Sequence, residues 1–351
     1  MRIRTVVFLL VICLVLLSAT SYLIRSKKGV SVESAGIRAE KVKLVPVREM
    51  EECCRYAFHD VAISGRGEVW AVGSDGRDTR RMYHSPDGGN TWEFKPLQTD
   101  GSILSAITFV DDQVGWAVGW GGLVMRSSNG GESWERVETP THAALDAVQF
   151  ANRSVGYIAG STGVYDKVTG TSTFGVVILR TTDGGKTWGT CYEDDKTGSV
   201  FKMATPSDLV AVVLLGGTHQ IRSEDGGASW QPLSIDNAKI SSLIFNVDGT
   251  GWAVGESGAM YRSSDQGKRW EKLEGLPKSL LSKSWLSVGF ADAQLGIVAG
   301  EHGALAVTND GGRHWFDSTM DVKEDLSRLR LRGRSGLVLG SQNVFRLTVG
   351  E

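Results

Sequence analysis

Seven times along the chain a short apolar run ends in glycine. The runs are V-W-A-V-G at 69–73, G-W-A-V-G at 115–119, G-Y-I-A-G at 156–160, V-A-V-V-L-L-G ending at Gly216, G-W-A-V-G at 251–255, G-I-V-A-G at 296–300 and G-L-V-L-G at 336–340. Runs of this length, bounded by turn residues, predict buried β-strands. After the first thirty residues no long stretch repeats its apolar positions at helical spacing. Each run is the second of four short strands, as in Leu104–Val110, Gly115–Gly119, Leu123–Ser127 and Ser133–Val137. At the front, Val6–Ile24 is nineteen residues without a charge, long enough to cross a bilayer as a helix.

The polar punctuation repeats too. Six segments share the core Ser/Thr-x-Asp-x-Gly-x-x-Trp, at 85–92, 127–134, 181–188, 223–230, 263–270 and 308–315. Their turn-forming residues are Asp87, Asn129, Asp183, Asp225, Asp265 and Asp310, and their anchors are Trp92, Trp134, Trp188, Trp230, Trp270 and Trp315. Such an Asp can accept hydrogen bonds from its own downstream backbone, the Gly takes positive φ, and the Trp opens the next strand with a large apolar ring. A catalytic carboxylate is needed once, whereas this one returns about every 40 to 55 residues, a propeller-type period. Asn129 keeps the accepting oxygen without the charge. The boxes are therefore read as structural.

These motifs resemble the Asp-box β-propellers. Four strands make one blade, and seven apolar runs against six boxes imply seven blades, the last short of one strand. That seventh unit begins near Asp325 with three strands before the chain ends, so Lys41–Arg48, confined to an edge by Pro46, is expected to complete it. The expected fold is an all-β seven-bladed β-propeller over 41–351, preceded by a transmembrane anchor at 1–28 and a tether at 29–40. A closed ring of this kind is read as a monomer.

Composition sharpens this picture. Forty-four Gly and eleven Trp suit many short strands joined by tight turns. Residues 1–28 hold five basic residues and no acid, which leaves a net charge of −7 on the remainder and argues against nucleic acid as a partner. The anchor is read as uncleaved, with the propeller on the exported side; cleavage near Ala19 is the alternative. Ile12 precedes Cys13 where a lipoprotein signal needs a small residue, so lipidation there is not expected. The six His residues are scattered without ligand spacing, so no metal and no cofactor is expected, and no hydrolase or P-loop motif occurs. Nothing fixes a partner for Cys53, Cys54 or Cys191.

Insertions mark the face that carries function. Most links between second and third strands take eight positions, but Gly73 to Ser85 takes twelve and carries Arg77, Arg80 and Arg81, while Gly160 to Thr181 takes twenty-one and carries Tyr165 and Lys167. The link from Glu271 to Trp285, with Lys278 and Lys283, belongs to the same face. These seven residues are the candidate partner contacts, the arginines because guanidinium groups grip carboxylates bidentately. Arg328, Arg330, Arg332 and Arg334 alternate along one strand and are expected on one side of it, paired with acids of blade six or one such as Asp321, Glu324 and Asp325.

Two families come into view. Sialidases share the boxes but also have an Arg-Ile-Pro segment before the first, absent here, which leaves a glycan-binding or glycoside-hydrolysing propeller as the alternative. The regular D-G-G-x-x-W boxes and the G-W-A-V-G strands before them more closely resemble the photosystem II stability and assembly factors and their bacterial relatives. That resemblance implies a non-enzymatic scaffold that binds a membrane-protein subunit through an arginine-bearing face.

Overall fold

The computed structural model describes residues 33–34, 37–38, 41–46, 57–74, 81–97, 99, 101–166, 171–195, 198–274, 276–341 and 343–350. The expected anchor at 1–28 lies outside them, as do Cys53 and Cys54. Among the described residues no helix is long and apolar enough to cross a membrane. Glu33–Ser34 pairs with Ile37–Arg38 inside the stretch read as a tether.

Seven four-stranded antiparallel sheets form the blades of the propeller. The innermost strands are Ala57–Ile63, Leu104–Phe109, Ala144–Phe150, Val200–Ala204, Ile240–Phe245, Trp285–Phe290 and Ser327–Arg332. Next outward come the apolar runs, which are wholly buried in blades one, two, three, five and six because both of their faces are covered by neighbouring blades. Blade seven takes its outer strand from the front of the chain. Lys41–Pro46 pairs antiparallel with Val344–Gly350, in a register from Lys41 opposite Gly350 to Pro46 opposite Phe345. First and last blades are thus joined by backbone hydrogen bonds.

The boxes are tight turns held by their own side chains. Asp87 accepts from the backbone N–H of Asn90 and Thr91 at 2.9 and 2.8 Å, and Ser85 Oγ accepts from Gly89 N at 2.7 Å. Bonds from the Thr91 backbone, followed by those from the Thr91 and Ser85 hydroxyls, hold the exposed Asp87 carboxyl down at about 2. Asn129 reproduces the turn, its Oδ1 accepting from Ser133 N at 3.0 Å.

Boxes also lock blade to blade. In three boxes the second glycine lies against the strand-two tryptophan of the preceding blade. A Cβ on Gly131 would fall 2.3 Å from the Trp70 ring, one on Gly185 2.2 Å from Trp116, and one on Gly312 2.4 Å from Trp252. Trp116 is itself fully buried, stacked on Phe150 with its edge toward Trp188.

One irregularity repeats around the ring. The register of every innermost strand shifts by a β-bulge near its start, between Phe58 and Asp60, Leu104 and Ala106, Leu145 and Ala147, Val200 and Lys202, Ile240 and Ser242, Trp285 and Ser287, and Ser327 and Arg330. Bulges re-aim side chains. Here they set the residues around one end of the central channel.

Candidate functional site

Backbone hydrogen bonds fix which loops share a face. The turns after the second strands dock on the links entering their own blades, as Trp120 N donates to Ile103 O, Gly216 N to Ser199 O, Glu256 N to Lys239 O and Glu301 N to Ser284 O. The boxes dock on the opposite end, where Gly130 N donates to Gln113 O and Gly184 N to Ser154 O. Both insertions therefore open on the face away from the boxes, the same end at which the innermost strands begin with their bulges.

The second insertion is not a loop. Gly156–Asp166 and Thr171–Thr181 remain paired from Gly156 opposite Thr181 out to Asp166 opposite Thr171, so blade three extends as a β-hairpin beyond its neighbours. Alternating Thr, Ser and Val in T-G-V-Y-D and T-S-T-F supply strand propensity that the sequence reading treated as loop. Tyr165 lies near its tip, opposite Ser172. Arg81 starts the third strand of blade one opposite Gly73, at the mouth of the first insertion. Lys278 is exposed at the start of the short 3-10 turn Lys278–Leu280, and the Lys283 carbonyl accepts from Gly258 N of blade five. Arg77, Arg80 and Lys167 lie outside the described residues. Large apolar side chains stand exposed on the same face, Phe174 on the hairpin, Phe201 at the blade-four bulge and Leu281 after the 3-10 turn.

Inside the channel mouth is a charged cluster that the sequence reading located only in part. Arg330 donates to Asp60 at 2.8 Å, and the Arg328 guanidinium reaches the same carboxylate at 3.8 Å while donating to His59 O at 3.2 Å. The acid expected from blade six or one thus turns out to be Asp60, in blade one. The acids named from sequence are engaged elsewhere, Glu324 with Asn343 and Asp325 with the backbone N–H of His302. The four arginines do not share one side either. The bulge breaks their alternation, Arg328 takes a φ of 32°, Arg332 turns out to the Gly65 carbonyl, and Arg334 reaches toward Val349 O.

Asp60, Asp146, Phe201 and Lys202 were not singled out from the sequence. Aligning the seven units on their apolar runs sets them in two adjacent positions, thirteen to fifteen residues before the closing glycine, Asp146 and Phe201 in the bulge and Asp60 and Lys202 just after it. Asp60 is buried and also accepts from Ile107 N of blade two at 3.2 Å. Asp146 accepts from Ser161 Oγ at 2.7 Å, and the same hydroxyl accepts from Val200 N of blade four at 2.9 Å. Burial raises the Asp146 carboxyl from 3.8 to about 6, with the Ser161 bonds and Arg328 pulling only partly the other way. Its ionisation is disfavoured by folding, so its contribution to stability is full below 3.8 and is lost as pH rises through about 6. Between about pH 4 and pH 7 the chain is expected to lose about 1–3 kcal/mol relative to an Asp146→Asn variant. Urea unfolding of both proteins across that range checks this, and parallel pH profiles would contradict it.

The family model described as photosynthesis system II assembly factor YCF48 matches residues 27–128. The chloroplast photosystem II stability/assembly factor HCF136 of Arabidopsis thaliana is 23% identical over 290 residues, covering 77% of this chain and 70% of that protein. The photosystem II assembly protein Ycf48 of Thermosynechococcus vestitus is 24% identical over 299 residues, covering 73% and 84%. A solved structure of YCF48 bound to a D1 peptide superposes with a TM-score of 0.68 at 19% identity, covering 92% of this chain and 98% of that one. The chain is similar to the photosystem II assembly factors. The assembly-factor likeness in sequence extends over most of the propeller, and the solved YCF48 shares its fold. Both of these sequence relatives are named as assembly factors. Among the described residues no group of His, Cys, Asp and Glu could hold a metal ion.

Proposed function

We propose that this protein is a non-enzymatic, membrane-anchored assembly scaffold that binds an exported segment of a membrane-protein subunit on the face away from the boxes. The observation that carries this reading is the make-up of that face. Exposed Phe174, Phe201, Leu281 and Lys278 share that face with a channel mouth holding Lys202, Arg328 and Arg330. Exposed apolar groups next to cations suit a mixed apolar and acidic segment, whereas glycoside hydrolysis calls for a pair of carboxylates flanking the scissile bond. The YCF48 structure with its D1 peptide supports a peptide-binding role for the fold. An anchor at 1–28 would hold the propeller beside its client and raise the local concentration.

Arg77, Arg80 and Arg81 of the first insertion, with Tyr165 and Lys167 of the second, are assigned as the rim contacts. Reversing the charge of the three arginines is expected to remove integral membrane subunits that co-purify with the wild-type chain from gently solubilised membranes, while the circular dichroism spectrum stays the same. Retention of those subunits by a folded variant would reject this face as the docking surface. A wild-type chain that enriches no membrane protein over an untagged control would reject the scaffold itself.

A further inference from the structure

Lys202 is the unusual member of the channel cluster. It sits just after the blade-four bulge and makes no hydrogen bond or ion pair with any described residue. Asp60, which could neutralise it, already serves Arg330, Arg328 and Ile107 N. Asp146 is held by Ser161 and makes no ion pair among the described residues. Three cations therefore meet where one buried carboxylate is shared between two of them. Burial, and then the facing Arg328 and Arg330, push the Lys202 ammonium well below the usual lysine range. Its charged form therefore calls for an anion beside it.

The space beside it has the size and lining for one. From Lys202 and Arg330 a cavity of about 350 Å³ runs toward the box end of the channel, walled by Phe150, Phe245, Phe290 and Leu331. Those phenylalanines are the last residues of their strands, opposite Gly156, Gly251 and Gly296. The cavity thus has cations at one end and rings at the other, with a volume in the range of small-ligand sites. Arg330 spends its known bonds on Asp60 and the Leu329 carbonyl, which leaves further guanidinium donors.

We propose that the central channel binds a small carboxylate with an apolar body, its carboxyl group on Lys202 and Arg330 and its body among Phe150, Phe245 and Phe290. The site lies along the axis, apart from the rim contacts, and shares Lys202 and Arg330 with the channel mouth invoked for the client, so it is tested on the chain free of client. The charge selects a carboxylate over its neutral analogue, and the rings select an apolar body over a bare anion.

Isothermal titration calorimetry of the full chain in detergent, free of client, tests this with 3-phenylpropionate, 3-phenylpropionamide and inorganic phosphate. Saturable binding of 3-phenylpropionate is expected, with the amide and phosphate at least about tenfold weaker. Lys202→Met is expected to weaken 3-phenylpropionate by about 10- to 100-fold. The same variant, having lost an unpaired cation, is expected to unfold at a higher temperature than wild type in buffer without added carboxylate, which shows that it is folded. No saturable heat with wild type, equal binding of the amide, or undiminished binding by Lys202→Met would each overturn the proposal. Phosphate binding as tightly as 3-phenylpropionate would overturn the apolar-body assignment and with it the proposed ligand class.

Discussion

Replacing Asp60 with alanine is expected to lower the unfolding free energy by about 3–5 kcal/mol, the cost typical of breaking a buried ion pair from one side. Three blades depend on this carboxylate. From blade one it takes the Arg330 guanidinium of blade seven at 2.8 Å, faces Arg328 at 3.8 Å and accepts from Ile107 N of blade two at 3.2 Å. Without it, Arg328, Arg330 and Lys202 repel one another with nothing between them, and a buried backbone N–H loses its acceptor. The penalty should therefore depend on its neighbours. In a Lys202→Met background the same substitution should cost less, because one of the repelling cations is gone, and a double-mutant cycle in urea should show coupling of about 1 kcal/mol or more. A loss below about 1 kcal/mol for Asp60→Ala alone would mean that water in the channel screens the cluster.

Gly185→Ala is the second large effect, expected to cost about 3 kcal/mol or more in unfolding free energy. Two causes combine. Gly185 has a φ of 79°, where a side chain is strained, and the added Cβ would lie 2.2 Å from the Trp116 ring of the neighbouring blade. Its neighbour Gly184 separates them. With a φ of 72° but only the Arg153 carbonyl near its Cβ position, at 3.0 Å, Gly184→Ala carries mainly the backbone cost and should lose about 1 kcal/mol. Thermal and urea melts of the two variants compare them directly. Equal losses would show that the box glycine is chosen for its backbone alone and that the contact between blades yields without strain.

How far the chain could be read from its sequence follows from which interactions are local. The boxes are closed by bonds within five residues, such as Asp87 to Thr91, so spacing and residue type were enough to place them. The apolar runs are buried on both faces, so they appear as continuous hydrophobic segments at a regular period, and the seven-bladed fold follows from counting them. Where the two hairpin strands of blade three continue past their neighbours, the sequence showed only length; pairing from Gly160 to Asp166 is a choice between strands that local pattern left open.

What the sequence by itself determined is therefore the architecture, since a repeat writes each short-range contact several times over. The tertiary structure alone decided the channel. Arg330 and Asp60 are 270 positions apart, and they meet because the ring closes the last blade on the first. The bulges that aim Arg328, Asp146 and Lys202 depend on one extra residue in a strand whose partner is set by the fold, and such an insertion leaves no local mark. Charge pairing across a closed ring depends on geometry that only closure supplies. That is why the alternating arginines could be recognised in the chain while their partner could not.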